Sequence, residues 1–104
     1  MKKDERIIKK YCNEYNYGYK IFNDNVIIST NLDDWKVTRS KDKLLVFHSN
    51  KAGNRNGKHQ YHFQRVCPDW AYVFDVVISR HENYSGVYDK AFKIKDILEN
   101  LHMC

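Results

Sequence analysis

The sequence predicts one α+β domain over residues 1–104, with an N-terminal helix, an antiparallel meander of four to five strands, and one or two helices packed on one sheet face. Apolar residues recur at helical spacing near both ends of the chain, whereas the middle has strand-like segments between turn-forming residues. With 104 residues, of which 42% are hydrophobic, the chain can form one modest core but not two.

The first helix is expected over residues 4–16. Its apolar stripe consists of Ile7, Ile8, Tyr11, Cys12 and Tyr15. Asp4 and Glu5 favour the N-terminal end, because negative charge there complements the helix dipole. Gly18 is the expected stop, since glycine commonly follows the last helical turn.

The meander is expected from segments that are rich in β-forming residues. They cover residues 19–22, 26–30, 34–40, 43–49 and 58–66. An Asn-Asp-Asn turn separates the first two segments, and Lys41-Asp42 makes a tight connection before the fourth. A polar loop over residues 50–57 precedes the last segment.

The C-terminal third begins with Pro68-Asp69, which is a typical helix start. Residues 70–81 then keep helical spacing, although the β-forming residues within 72–78 leave a strand as the alternative. A short closing helix is expected near residues 94–101. The 4–16 helix and the 70–81 segment should cover one sheet face and leave the other open. The residues expected to be buried by this packing are Ile7, Tyr11, Trp35, Val37, Phe74 and Ile78.

Positive charge is concentrated in the middle of the chain. Residues 36–65 hold eight basic side chains and one acidic side chain, a net charge of +7, whereas the rest of the chain carries −2. Such a cluster is typical of a surface that binds a polyanion. It is also typical of a solvated sheet whose edge strands carry lysines that prevent pairing with other chains. We therefore expect a small basic, non-enzymatic binding protein for nucleic acid, RNA or DNA.

The candidate binding residues fall into two groups. Those expected to contact phosphates, or an acidic partner, are Lys36, Arg39, Lys43, Lys51, Arg55, Lys58 and Arg65. Those expected to contact bases or sugars are Gln60, His62 and Gln64. Strand alternation should display this second group on the open face and turn His59, Tyr61, Phe63 and Arg65 inward. Phe47 or Tyr61 could add a ring for base stacking, depending on register.

Two alternatives remain open. The abundance of Lys, Asn, Asp, Ile and Tyr is typical of an AT-rich genome, such as that of a phage or mobile element. The protein could therefore be an inhibitor of a host nucleic-acid enzyme, similar in size and charge to small phage anti-defence or anti-CRISPR proteins. It could also be a small metal-independent ribonuclease or toxin, with His48, His59, His62 and Arg55 as catalytic residues.

No cofactor is expected, because the sequence has no dinucleotide or phosphate-loop motif. No metal is expected either, since the three neighbouring histidines lack an identifiable fourth ligand. The three cysteines, at wide spacing, should be reduced, with Cys12 buried. Without a signal-peptide pattern or an apolar stretch long enough for a span, the expected location is the cytoplasm, that of the host if the protein is phage-encoded.

Overall fold

The computed structural model describes residues 1–51 and 60–83. The predicted α+β class is confirmed: an N-terminal helix precedes five antiparallel strands in one sheet, and a second helix follows them. The predicted closing helix and residues 52–57 of the predicted loop lie outside the described residues. No helix within 1–51 or 60–83 is long and apolar enough to cross a membrane.

The strands are consecutive in the chain and in the sheet, so each pairs with its sequence neighbour. They are β1 Gly18–Ile21, β2 Asn25–Ser29, β3 Asp33–Ser40, β4 Lys43–Asn50 and β5 His62–Cys67. β3 and β4 form the longest ladder, from Asp33 opposite Asn50 to Ser40 opposite Lys43. Lys41 adopts a left-handed conformation (φ 57°) in the tight turn that joins them. β1 and β5 are the two edge strands.

Helix α1, Glu5–Tyr15, follows a short 3-10 turn at Lys2–Asp4. Ile8 and Cys12, one turn apart, are its fully buried side chains. Ile7 was expected in the core and is instead 39% exposed, because only one of two adjacent helical positions can point straight at the sheet. Asn16 ends the helix in a left-handed conformation (φ 61°), two residues before the glycine predicted as the stop.

Helix α2 spans residues 70–83, and its central segment, Tyr72–Ile78, is π-helical. The helix was predicted to begin after Pro68-Asp69, and the Asp69 side chain indeed caps it by accepting a hydrogen bond from the Tyr72 N–H at 2.8 Å. The alternative of a strand over 72–78 is therefore wrong.

Both helices pack on the same sheet face, as predicted. Trp35, Val37, Phe74 and Ile78 are fully buried between them and the sheet, and Tyr11 is partly buried. The Tyr11 ring stacks on Phe74 with ring centres 4.9 Å apart, which joins α1 to α2. We call this side of the sheet the covered face. Among the described residues, no helix packs on the other side, the open face.

Candidate nucleic-acid interface and histidine cluster

Strand alternation sorts the charged residues of β3 between the two faces. Trp35 and Val37 are buried on the covered face, so Lys36 and Thr38 between them lie on the open face. Arg39 lies on the covered side, where its guanidinium forms an ion pair with Asp4 at 2.6 Å. The predicted basic set is therefore divided, and Arg39 does not belong to the open face.

Lys36 lies between two aromatic rings on the open face, and a third ring packs against one of them. The Lys36 ammonium lies 5.2 Å from the ring centre of Phe47 and 5.1 Å from that of Tyr61, both within cation–π range. Phe63 contacts Phe47 edge to face at 5.6 Å. Phe63 is 56% exposed, which is high for a phenylalanine. We call these four residues, Lys36, Phe47, Tyr61 and Phe63, the aromatic platform.

The face prediction for the last strand is wrong in part, because Phe63 lies on the open face and His62 lies on the covered side, whereas Arg65 lies on the covered side as predicted. The physical reason is a β-bulge: Val46 pairs with Arg65 and Phe47 pairs with Phe63, so Gln64 is an extra residue. The bulge shifts the alternation by one position within β5. Tyr61, also predicted inward, lies on the open face against Lys36.

The remaining predicted residues occupy separate places. Lys43 lies on the open face at the start of β4, because Leu44 beside it is buried on the covered face. Lys51 donates a hydrogen bond to the Ser29 hydroxyl at 2.8 Å, so part of its hydrogen-bonding capacity is already used. The Arg65 guanidinium lies 5.2 Å from the ring centre of Tyr72 in α2. Gln60 and Gln64 are exposed. Arg55, Lys58 and His59 lie outside the described residues.

A depression of about 430 Å³ lies beside the aromatic platform on the open face. Lys20 from β1 and Tyr61 lie at its rim, together with the Asp34 carboxylate. Burial, and to a smaller extent the charge of Asp34, raises the pKa of the Tyr61 hydroxyl, so that it stays a neutral donor at physiological pH. Lys20 was not among the predicted residues, because it lies outside the basic central segment.

A second polar cluster lies on the covered side, where β3, β4 and α2 meet. Asp33 is 2% exposed, and its Oδ2 lies 2.5 Å from His81 Nε2 and 3.6 Å from His48 Nδ1. The Trp35 ring packs against both imidazoles, with ring centres 5.6 Å from His48 and 5.2 Å from His81. The indole N–H donates to the Thr30 hydroxyl at 3.3 Å, so Trp35 is held in place beside the cluster.

The polar atoms of this cluster are poorly satisfied. Within the described part of the chain, neither Asp33 Oδ2 nor His48 Nδ1 has a hydrogen-bond partner, although both are buried. His81 Nε2 is close to Asp33 Oδ2 but does not have the alignment of a hydrogen bond. Burial lowers the pKa of His48, and the nearby Asp33 carboxylate opposes this effect only in part.

A cleft of about 400 Å³ adjoins the cluster at His81. Four polar side chains line this cleft, Gln64, Arg65, Arg80 and His81. Trp35 also contributes to the lining. Two guanidinium groups near an imidazole make this cleft basic. Gln64 reaches it because of the β5 bulge.

The residues predicted for ribonuclease activity are brought together only in part. His48 and His62 face each other across β4 and β5 with ring centres 6.3 Å apart, as their predicted strand pairing requires. His59 and Arg55 lie outside the described residues. Sequence reasoning missed Asp33, and it placed His81 only within the helical spacing of residues 70–81. The periodicity that put His81 on the buried face of α2 was the available signal.

Comparisons with known proteins gave no match. No known protein family matches the chain, and neither a curated protein nor a solved structure is detectably similar to it. The functional argument therefore depends on the geometry of the two sites alone.

Proposed function

We propose that this protein binds single-stranded nucleic acid on the open face of its sheet, without catalysing a reaction. The observation that supports this proposal best is the aromatic platform, in which the rings of Phe47 and Tyr61 contact the Lys36 ammonium and the neighbouring Phe63 is 56% exposed. Unpaired bases stack on exposed rings, and this stacking is tolerant of sequence because every base has a π-face.

Electrostatics supports the same face. Lys20 from β1, Lys36 from β3 and Lys43 from the start of β4 all lie on it. A backbone that crosses the platform would meet all three ammonium groups. The proposal therefore excludes Arg39, whose charge is paired with Asp4 on the other side of the sheet.

The test is fluorescence anisotropy with labelled single-stranded RNA and DNA over a range of salt concentrations. Three phosphate contacts on a single strand predict a slope of log affinity against log salt of about −2. Phe63→Ala should weaken binding by about 5- to 150-fold, the value of one stacked base. Lys36→Ala should also reduce the salt slope, by about 0.7 to 1.

Arg39→Ala is the matched control. It removes one charge from the same basic segment and the same strand, but on the covered face, so affinity should change by less than about threefold. If Arg39→Ala and Lys36→Ala have equal effects, the open face is not the binding surface. If neither polymer binds at micromolar protein in low salt, the proposal is wrong.

A second candidate is binding to a protein, such as a host nucleic-acid enzyme that this chain would inhibit. One observation favours it: Val66, 48% exposed, lies beside Phe63 on the open face of edge strand β5. Contiguous exposed apolar side chains are typical of protein contacts. This candidate predicts no affinity for naked RNA or DNA, so the anisotropy experiment separates it from the first.

A further inference from the structure

We propose that Asp33, His48 and His81 bind a zinc ion between β3, β4 and α2. Asp33 Oδ2 lies 3.6 Å from His48 Nδ1 and 2.5 Å from His81 Nε2, and one ligand atom from each residue lies within 4.8 Å of the others. This site is on the covered side of the sheet and does not depend on the proposed nucleic-acid binding.

The first argument is the unsatisfied state of the cluster. Asp33 is 2% exposed, and burying a carboxylate is costly unless it is paired or coordinates a metal. Its Oδ2 has no hydrogen-bond partner among the described residues, and neither has the buried Nδ1 of His48. Buried polar atoms without a partner are rare in folded proteins and call for an explanation. A shared cation would satisfy both atoms at once.

The second argument is distance. Zinc lies about 2.0–2.2 Å from imidazole nitrogen and carboxylate oxygen, so ligand atoms in a tetrahedral site are about 3.3 Å apart. The observed separations of 2.5 and 3.6 Å lie on either side of this value. All three donor atoms lie within 4.8 Å of one another, so no separation has to change by more than about 1.5 Å to hold the ion.

The ligand set selects the metal. Calcium and magnesium prefer oxygen ligands, whereas two imidazoles and one carboxylate suit zinc. Three protein ligands leave the fourth position of a tetrahedral zinc site open for a water molecule. His62 is exposed and its ring centre is 6.3 Å from that of His48, so we do not include it in the set.

The competing explanation is a simple ion pair between Asp33 and a protonated His81. That explanation leaves His48 Nδ1 buried and unpartnered, 3.6 Å from the same carboxylate oxygen. It also predicts no specific affinity for zinc. The two explanations therefore differ in a measurable property.

The experiment uses the full chain, stripped with a chelator and titrated with zinc sulfate in competition with a chromophoric chelator. We expect one zinc per chain. His81→Gln and Asp33→Asn, both close in shape to the native side chains, should each weaken zinc binding by more than about 100-fold, since even an outer-shell change costs 10- to 100-fold. His62→Gln is the matched control and should change the affinity by less than about twofold.

Two further readouts separate ligand loss from unfolding. Zinc should raise the Tm of the native chain and leave the Tm of Asp33→Asn unchanged, because only the folded native chain binds it. Cobalt(II) bound in place of zinc should show the visible absorption of a tetrahedral site, and His81→Gln should abolish it. Absence of zinc binding by the native chain, or equal losses for His62→Gln and His81→Gln, would overturn the proposal.

Discussion

Replacing a buried and an exposed phenylalanine by leucine measures how the two sheet faces differ. Phe74 is fully buried, and its ring stacks on Tyr11 at 4.9 Å with the planes inclined by 7°. Phe74→Leu loses this stacking, about 0.5–1.5 kcal/mol, and leaves a small cavity. We expect a loss of about 1–3 kcal/mol in the free energy of unfolding. Phe63→Leu removes the same atoms from an exposed side chain and should cost about 0.5 kcal/mol or less.

The assay is urea denaturation followed by tryptophan fluorescence. Trp35 and Trp70 are both buried, and Trp70 contacts Phe74 with ring centres 6.0 Å apart, so the signal reports on the core. A loss of 1–3 kcal/mol is a large part of the 5–15 kcal/mol typical of a domain and is easily resolved. Equal losses for the two variants would refute the assignment of Phe63 to an uncovered face. That result would also argue against the aromatic platform as a binding surface.

Three further predictions concern α1 and α2. Burial raises the pKa of the Cys12 thiol to about 12, so the reactive thiolate should be scarce in the folded chain. Maleimide should therefore label Cys12 far more slowly in the folded than in the urea-unfolded chain, which is measured on the tryptic peptide that contains Cys12. Because this pKa is raised by folding, the stability it contributes is complete below pH 9 and declines as the pH rises towards 12. Asp69→Ala removes the α2 cap and should cost about 1 kcal/mol in thermal unfolding, whereas Asp24→Ala, in an exposed turn, should cost little.

The sequence was sufficient to predict the order of elements and the packing of the helices, because both depend on periodicity. The stripe containing Phe74 and Ile78 has helical spacing, and Trp35 and Val37 alternate as a half-buried strand requires. Ile7 was wrongly predicted to be buried, because Ile7 and Ile8 are adjacent apolar residues and the sequence does not specify which of them points into the core. That choice depends on how α1 is rotated against the sheet.

The register of β5 could not be predicted, because a single bulge reverses the faces of the residues on one side of it. Gln64 is the inserted residue, and nothing in the run from Gln60 to Arg65 distinguishes it from its neighbours. The bulge is fixed by tertiary contacts instead: Arg65 packs on Tyr72 of α2, and Phe63 packs on Phe47. The predicted alternation failed at this point for that reason.

The two proposed sites share strand β4 but not a face. Phe47 belongs to the aromatic platform, and the next residue, His48, belongs to the histidine cluster, because successive strand residues point to opposite sides. A ligand on one face therefore contacts no side chain that contributes to the other site. Loss of zinc binding by His81→Gln should thus leave the open face intact, and loss of nucleic-acid binding by Phe63→Ala should leave Asp33 and its partners intact. Because each variant acts on one face only, failure of either proposal can be recognised without reference to the other.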